Sequence, residues 1–425
     1  MKKNYFSFLF FATLIVFLFS STTYCQAKFV VNKSHLDYLY EEINVAGKEM
    51  AIIHIYSNAP DYKYVGDDDE GYTCVDDVAR AAIFYLEYFK AYDDSSSLEK
   101  LNLLIEFVKY MQAENGYFYN FIWEDGSINK TFRTSLAEPN WWSWRALWAL
   151  MEYYKYFDET NSEPIVEVKS SVEIIINAIK KNIPSDRNKS LIDGIEIPDW
   201  LPANSASDQA ALLVLCLSDY YKISGDEEIL KYVQSLIDGI LMMQIKNEDC
   251  EFNGAFLSWQ NTWHGWGNSQ SYSLLKAYQI LKDKKIKEVA LYELDNFYER
   301  LIEIDFLSYF KVQNNQGKYE IVESNKFSQI SYSISPMIFA LLEAYTITSD
   351  SIYAINAGKF AQWFTGGNPA KTVMYNPHNG IFFDGIENEN LVNKNSGAES
   401  TIEGLLSLLK ISLNPIALKE FEKKD

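Results

Sequence analysis

Residues 75–110 read VDDVARAAIFYLEYFKAYDDSSSLEKLNLLIEFVKY, and this stretch contains the repeating unit of the fold. Apolar side chains recur every three or four positions on both sides of a short polar break, which predicts helices near 75–93 and 98–114. The break, Tyr92-Asp93-Asp94-Ser95, offers capping residues that end one helix and begin the next. The stretch is therefore predicted to be a helical hairpin.

The same pattern continues along the chain. Tight turns such as Ser224-Gly225-Asp226 and Thr348-Ser349-Asp350 join further pairs of segments with helical periodicity. The other helices are predicted near 33–46, 138–157, 164–182, 205–223, 226–244, 268–283, 285–303, 328–347, 350–364 and 396–411. With the helix near 33–46, the helices form six pairs.

The connections between pairs are longer and rich in Trp, Tyr, Asn, Gly and Asp. Two of them contain the alternation and turn residues of a β-hairpin. These are residues 117–123 with 127–133 around Asp125-Gly126, and residues 309–313 with 318–323 around Asn314 to Gly317. Short β-hairpins are therefore predicted within the long loops.

The first helix of each pair begins with a polar or aromatic segment, and these segments recur about every sixty to seventy residues. They are Val75-Asp76-Asp77, Glu138-Pro139-Asn140-Trp141-Trp142, Ser207-Asp208-Gln209, Trp266-Gly267-Asn268-Ser269, Phe327-Ser328-Gln329 and Gly397-Ala398-Glu399-Ser400. If six hairpins close into a barrel with these helices inside, all six N-termini open on one face with the long loops. The sequence thus predicts an all-α fold, an (α/α)6 barrel of six helical hairpins.

The N-terminal stretch MKKNYFSFLFFATLIVFLFSSTTYCQA predicts a signal peptide over residues 1–27, because two lysines precede an apolar run that ends in small and polar residues. A membrane anchor is the alternative, but no second run of this kind follows, so no stable membrane span is expected after removal of the signal. A lipid anchor through Cys25 is a weaker alternative, since Tyr24 stands before it, where a lipid-modified cysteine normally follows a small residue. Residues 28–425 are predicted to form a single domain, secreted or periplasmic.

Composition and the lack of certain motifs argue against several partners and cofactors. The net charge of −20 and the lack of a basic run disfavour nucleic acid. No nucleotide-binding loop, dinucleotide fingerprint or zinc-binding histidine pair occurs, so no cofactor is predicted. Asp67-Asp68-Asp69-Glu70 offers oxygen ligands for calcium, but its spacing matches no calcium loop, so we interpret it as a solvated acidic run. Cys216 and Cys250 are interpreted as buried small hydrophobes, with a disulfide as the alternative.

Several motifs resemble those of a known superfamily. Asp76-Asp77-Val78-Ala79-Arg80-Ala81 resembles a DDNARA-type helix start, and residues 145–150, RALWAL, resemble a GRALWALG-type segment. WFTGGN at 363–368, MYNP at 374–377, Asp384-Gly385 and NSGAEST at 395–401 follow the GNN, LYD, DG and NQGAEST order. Together they resemble the six-hairpin glycosidase-like superfamily, in particular the (α/α)6-barrel domains sometimes attached to glycosyltransferases. The chain departs from it before RALWAL, where a single acid, Glu138, stands among tryptophans.

Glycoside hydrolysis requires two carboxyl groups, one to protonate the leaving oxygen and one to activate water or attack the sugar. The candidates stand at the starts of the inner helices and are Glu138, Asp77, Asp208 and Glu399, followed by Asp76 and Asp199. Helix capping or an ion pair is the alternative for each, for instance between Glu399 and Arg80 or Arg145. Glu138 and Glu399 stand out, the first beside a tryptophan cluster and the second in a turn of small residues.

The predicted substrate-binding side chains are mainly aromatic. Trp263-His264-Gly265-Trp266-Gly267-Asn268 places two indoles and an imidazole among glycines, which favours a sugar platform, with packing on the barrel rim as the alternative. The full predicted set is Asp76, Trp141, Trp142, Trp144, Arg145, Trp263, His264, Trp266, Asn268 and Asp384.

These features predict a carbohydrate-active enzyme, a glycoside hydrolase that cleaves an oligosaccharide or polysaccharide with a carboxylate pair. Two alternatives stay open. A polysaccharide lyase acting on a uronic acid polymer would need a Tyr or His base and charge-neutralising groups, and a non-catalytic glycan-binding protein would need only the aromatic side chains.

Overall fold

Six helical hairpins follow one another in this computed structural model, which describes residues 31–158 and 163–423. The predicted signal peptide and Cys25 lie outside the described residues. The helices are α1 Ser34–Leu39, α2 Val75–Tyr92, α3 Ser95–Tyr110, α4 Trp141–Phe157, α5 Glu163–Lys181, α6 Ser207–Ser224, α7 Glu227–Met242, α8 Gln270–Leu281, α9 Lys284–Glu293, α10 Glu299–Glu303, α11 Ser331–Thr348, α12 Ser351–Ala361, α13 Ala398–Ser412 and α14 Pro415–Phe421.

Alternate helices form a closed inner ring. Helices α2, α4, α6, α8, α11 and α13 each pack on the next, and α13 packs back on α2. Each is followed by a partner in the outer layer, namely α3, α5, α7, α9, α12 and α14. The predicted (α/α)6 barrel is confirmed.

Burial explains why these segments separate into two layers. In α6 every residue from Ser207 to Ser218 is buried, as expected of a helix enclosed by neighbours on all sides. The following helix, α7, buries only one stripe, whose members include Ile229, Val233 and Ile240. Between them the Asp226 carboxylate accepts the N–H groups of Glu228 and Ile229 at 3.1 and 3.3 Å, which caps α7. The predicted tight turns thus lie at the end of the barrel where the inner helices finish.

The strands are short and lie in the long loops that lead to the inner helices. They are β1 Tyr40–Val45, β2 Lys48–Ile53, β3 Tyr56–Asn58, β4 Lys63–Val65, β5 Thr73–Cys74, β6 Phe121–Ile122, β7 Lys189–Ile192, β8 Ile195–Pro198, β9 Thr262–His264, β10 Tyr309–Asn315, β11 Lys318–Asn325, β12 Gln329–Ile330, β13 Tyr375–Asn376, β14 Ile381–Phe382, β15 Gly385–Asn388 and β16 Leu391–Asn393. Every ladder among them is antiparallel, and the largest sheets have three strands, in the orders β11-β10-β9 and β12-β15-β16.

The prediction of a helix near 33–46 is wrong for its second half. It ends at Leu39, and β1 then pairs with β2 through a turn at Ala46 and Gly47, whose φ angles are +53° and +84°. Two consecutive positive φ angles match the twist of a two-residue hairpin, which therefore prevails over helical periodicity here. The twelfth helix of the six hairpins is instead α14, which packs on α12 and α13.

Of the two predicted β-hairpins, one is confirmed. Strands β10 and β11 pair across Gln316-Gly317, and β9 adds a third strand. At 117–133 only one bridge, Ile122 with Ile128, crosses the Asp125-Gly126 turn, and β6 pairs with β5 instead. No ladder forms here because side chains occupy backbone hydrogen-bonding groups that a second strand would need. Ser135 Oγ, for instance, accepts the Phe121 N–H at 3.0 Å.

Two further findings concern cysteines and membrane spans. Cys74, Cys216 and Cys250 are buried free thiols, so the alternative of a Cys216–Cys250 disulfide is not realised. Within the described part of the chain, no single helix is long and apolar enough to cross a membrane. Helices α13 and α14 would meet that criterion only as a pair, across a bend of 117°.

Candidate functional site

Four carboxylates surround a buried arginine near the N-terminal ends of the inner helices α2 and α13. Arg80, whose side chain is only 3% exposed, lies one turn into α2. Its nitrogens contact Asp77 at 2.7 Å, Glu399 at 2.9 Å, and Asp76 and Glu403 at 3.2 Å each. The planar guanidinium presents five N–H donors, which lets one side chain serve several acids at once. The ion pair between Glu399 and Arg80, given above as the alternative to a catalytic role, is thus present, and it joins α2 to α13.

A second arginine and a tyrosine extend this network across the barrel. Arg145 of α4 contacts both oxygens of Asp76 at 3.2 Å, and it donates to the hydroxyl of Tyr332 on α11. The guanidinium carbons of Arg80 and Arg145 lie 4.8 and 4.7 Å from the centroid of the Tyr332 ring. The arginine network, defined as Arg80, Arg145, Tyr332 and the four carboxylates, thus links four of the six inner helices.

The four carboxylates differ in exposure. Asp77 and Glu403 are 5% and 7% exposed, whereas Asp76 and Glu399 are 22% and 39% exposed. Burial raises the pKa of Asp77 and of Glu403 to about 7, although the charge of Arg80 opposes the shift. Asp76 and Glu399 are therefore the members of the arginine network that a ligand could reach.

A third accessible acid stands beside the start of α13. Asp384 is half-buried, and its Oδ1 accepts the N–H of Gly397 at 2.7 Å. Burial raises the pKa of Asp384 to about 6, hydrogen bonds from Gly397 and Ser400 oppose the shift, and the nearby charge of Glu399 adds to it. Two accessible carboxyl groups thus flank one helix start. Asp384 accepts a backbone N–H and has a raised pKa, and Glu399 is paired with an arginine.

Across the ring, a histidine is clamped between two oxygens. His264 Nε2 lies 3.0 Å from Asp208 Oδ2, and its Nδ1 lies 2.7 Å from the carbonyl oxygen of Trp266. The indole of Trp266 stacks on the imidazole, with centroids 4.1 Å apart and planes within 9°. Trp266 remains 41% exposed. Asp208 therefore holds His264, and His264 supports an indole whose outer face is open.

Gly267, which follows Trp266, lies too close to neighbouring side chains to carry a Cβ atom. Gly267 has a φ of +73°, and a Cβ there would lie 3.0 Å from Trp141 and from the Tyr332 hydroxyl. The loop can thus lie over the arginine network only with glycine at this position. Asn268 is 3% exposed and donates to the carbonyl of Gly265, so it fixes the loop rather than facing a ligand.

Three of the predicted sugar-stacking tryptophans are packing residues, which corrects their assignment to substrate binding. Trp142, Trp144 and Trp263 are 6%, 3% and 1% exposed. Trp142 donates to the Phe118 and Leu136 carbonyls, Trp144 donates to Gln209, and Trp263 packs on Phe297 and Phe310. None of the three indoles has a free face for a sugar ring. Trp141 differs, since it is half-buried at the rim, 5.5 Å from the guanidinium of Arg145.

The structure places the other predicted acids outside the arginine network. Glu138 precedes α4 and is exposed, and the contact that the structure gives it runs through its backbone carbonyl, which accepts Ser143 Oγ at 2.8 Å. Asp199 accepts the Ser190 hydroxyl at 2.9 Å next to strand β8. Asp67 Oδ1 accepts the N–H groups of Asp69 and Glu70, so the acidic run forms a turn. Among the described residues, no group of three or more His, Cys, Asp or Glu side chains is arranged to hold a metal ion.

Sequence reasoning missed two members of the arginine network. Glu403 follows Glu399 by four residues on α13, so the two share one helix face, and this spacing was a usable signal. Tyr332 begins α11 among serines and isoleucines, and its sequence offers no such signal. Its place depends on closure of the ring, which brings α11 beside α13.

The fold is shared with solved carbohydrate-active enzymes. A sugar epimerase from a ruminal bacterium matches with a TM-score of 0.62 at 12% identity, over 89% of this chain and 95% of that one. Cellobiose 2-epimerase from Bacillus thermoamylovorans B4167 matches with a TM-score of 0.60 at 12% identity, over 88% and 95%. A family 76 glycoside hydrolase from a bovine Bacteroides thetaiotaomicron strain matches with a TM-score of 0.56 at 10% identity, over 88% and 75%.

The chain has the six-hairpin (α/α)6-barrel fold. At these identities the likeness concerns the fold alone. No protein-family model matches the sequence, and no curated protein matches it significantly. The reaction must therefore be argued from the residues at the rim.

Proposed function

We propose that the protein is a glycoside hydrolase, acting on an oligosaccharide or polysaccharide at the rim where the inner helices begin. The observation that carries the proposal is the contrast between Asp384 and Glu399. Burial raises the pKa of Asp384 to about 6, so this carboxyl retains its proton near neutral pH more readily than an ordinary aspartate. Glu399, by contrast, lies 2.9 Å from Arg80 and pairs with its guanidinium. Two accessible carboxyl groups in such different environments suit an acid and a base.

In this mechanism Asp384 donates its proton to the glycosidic oxygen while the bond to the anomeric carbon breaks. Glu399 either attacks that carbon directly or removes a proton from an attacking water. The distance between the carboxyl groups of Asp384 and Glu399 around the bound sugar decides between these routes. Asp76, which shares a nitrogen of Arg80 with Glu399, is the next candidate for the second role. Trp266 would stack on a neighbouring sugar ring with its exposed face.

The arginines argue against the lyase alternative. Elimination from a uronic acid requires a cation to neutralise the substrate carboxylate and a base to remove a proton. Arg80 contacts four protein carboxylates, and Arg145 contacts Asp76 and Tyr332. Both ring nitrogens of His264 face protein oxygens, so this side chain is a support for Trp266 rather than a free base. These groups are committed to the protein, which favours a neutral sugar.

The test is incubation of the purified protein with a panel of neutral and uronic acid glycans, followed by NMR of the products. We expect new reducing ends from at least one neutral glycan. An epimerised sugar without cleavage, or an unsaturated product absorbing in the ultraviolet, would replace hydrolysis with isomerisation or elimination. Tight binding without turnover at any pH would favour a glycan-binding protein.

We further propose that the protein is exported by residues 1–27, as the lysines and apolar run of this stretch suggest. Expression of the full chain in a bacterial host and N-terminal sequencing of the recovered protein tests this. A first residue near Lys28 in the periplasm or medium is expected. An intact N-terminus in the cytoplasm would contradict export.

A further inference from the structure

A cavity lies at the other end of the barrel. Its volume is about 390 Å³, it is partly open to solvent, and side chains of α2, α4, α8, α11 and α13 line it. This volume falls within the range of about 300–1,000 Å³ that is common for small-molecule sites, at its lower end. The cavity does not include the arginine network, and the proposed hydrolysis does not use it, although Trp148 of the RALWAL segment lines it.

Charged groups of both signs line this cavity. Glu87 pairs with Lys90 at 2.9 Å, and Glu152 pairs with Lys155 at 2.7 Å, so these groups hold each other. Lys276 is held less closely, 3.8 Å from its carboxylate partner on α11. Carboxylates accept hydrogen bonds and ammonium groups donate them, and a sugar hydroxyl requires both kinds of partner. Because the charges largely cancel, the lining does not select for a charged ligand.

The cavity also has an aromatic wall. The rings of Tyr272 and Phe339 meet edge to face at 5.7 Å, and Trp148 lies beside them. Tyr272 is half-buried, and its hydroxyl can donate a hydrogen bond to a ligand in the cavity.

We infer that this cavity is a binding site for a small neutral sugar of about one ring. The ring would lie against Tyr272 and Phe339, accept a hydrogen bond from the Tyr272 hydroxyl, and exchange hydrogen bonds with Lys276 and the carboxylates around it. Trp148 and Phe339 also line a narrow space directly beneath Arg80 and Arg145. A sugar in the cavity would therefore contact the layer of side chains that supports the arginine network.

The experiment is a calorimetric titration, with saturation-transfer NMR, of the purified protein with D-glucose, D-mannose and D-galactose. Glucose 6-phosphate and glucuronate serve as anionic probes. We expect at least one neutral hexose to bind with a Kd in the millimolar range or tighter. Tyr272→Phe removes only the hydroxyl and should weaken this binding about three- to tenfold. Tyr278→Phe, on the same helix but outside the cavity lining, is the matched control and should leave Kd unchanged.

Trp266→Ala separates this cavity from the rim. Hexose binding in the cavity is unaffected by this substitution, whereas binding at the rim is weakened by it. Unchanged binding in Tyr272→Phe, binding of the anionic probes alone, or no binding of any hexose would overturn the inference. A melting curve for each variant verifies that it is folded, and none of these outcomes depends on whether the protein cleaves glycans.

Discussion

The two ends of the barrel place charged groups in opposite ways. At the rim, Arg80 and Arg145 are 3% and 4% exposed, and the arginine network concentrates acids around them. At the other end, lysines and carboxylates meet in pairs that are mostly a quarter to a third exposed, such as Lys90 with Glu87. Long loops surround the rim, whereas tight turns border the other end. The two ends thus differ in how deeply their charged groups are buried.

The largest contrast between the ends should appear in catalysis. Asp384→Asn removes the proposed proton donor and should lower kcat/KM for a cleaved glycan by about 10²- to 10⁴-fold. Its matched control is Asp295→Asn, since the pKa of Asp295 is also raised but its side chain is exposed in the outer layer. Equal activity of the two variants would remove Asp384 from the chemistry.

The arginine network should also dominate stability. Arg80→Met leaves buried carboxylates without their cation and should lower the free energy of unfolding by about 3–5 kcal/mol at pH 8. Lys90→Met breaks a partly exposed pair at the other end and should cost at most about 1 kcal/mol. Denaturant unfolding measures both. Similar losses for the two variants would contradict the contrast between the ends.

Two tryptophans three residues apart offer a sharper test within one loop. Trp263→Ala removes a fully buried ring packed on Phe297 and Phe310, and should destabilise the protein by about 3–5 kcal/mol. Trp266→Ala removes an exposed ring and should change stability by less than about 1 kcal/mol. If the second variant were the less stable one in thermal unfolding, the assigned burial would be incorrect.

A buried acid without a cation should make stability depend on pH. Burial raises the pKa of Glu293 to about 7 from 4.5, and hydrogen bonds from Ser271 and Phe256 oppose the shift. The folded state then binds more protons than the unfolded state between these values. Its stabilising contribution is therefore present below pH 4.5 and lost as pH rises through about 7.

Between pH 5 and 8 the free energy of unfolding should fall by about 1–3 kcal/mol less in Glu293→Gln than in the wild type. Denaturant unfolding of both proteins across this range measures the difference. Parallel pH profiles for the two proteins would show that Glu293 is ionised throughout this range.

The smallest predicted effect concerns substrate binding at the rim. Trp266→Ala should raise KM about fivefold with a smaller change in kcat, because a stacked ring contributes about 1 kcal/mol. His264→Gln, which loses the support beneath the indole, should shift KM in the same direction but less. Steady-state kinetics on the glycan that is cleaved provides both values. Unchanged KM in both variants would exclude Trp266 as a platform.

Much of the fold could be predicted from local pattern. The inner helices were predicted to within about three residues at their starts, because apolar periodicity and capping residues are local properties. The helix near 33–46 failed at Tyr40 because a two-residue turn at Ala46-Gly47 allowed β1 to pair with β2. Pairing of β6 with β5 joins residues about fifty positions apart, which no local pattern reveals.

The site was predicted less completely, for a physical reason. The acids at helix starts were found because position in the chain fixes them at the rim, and Asp77, Asp208 and Glu399 do lie there. Burial of an aromatic ring depends on its neighbours in space, so Trp263 and Trp266 could not be told apart in the sequence. Tyr332 required knowledge that α11 closes the ring beside α13.

The most direct test of the central claim is a crystal structure of the Asp384→Asn variant with a bound oligosaccharide that the wild-type protein cleaves. The account predicts a sugar ring on Trp266, and a glycosidic oxygen within hydrogen-bond distance of residue 384 with Glu399 near the anomeric carbon. An oligosaccharide bound away from these three residues would contradict it.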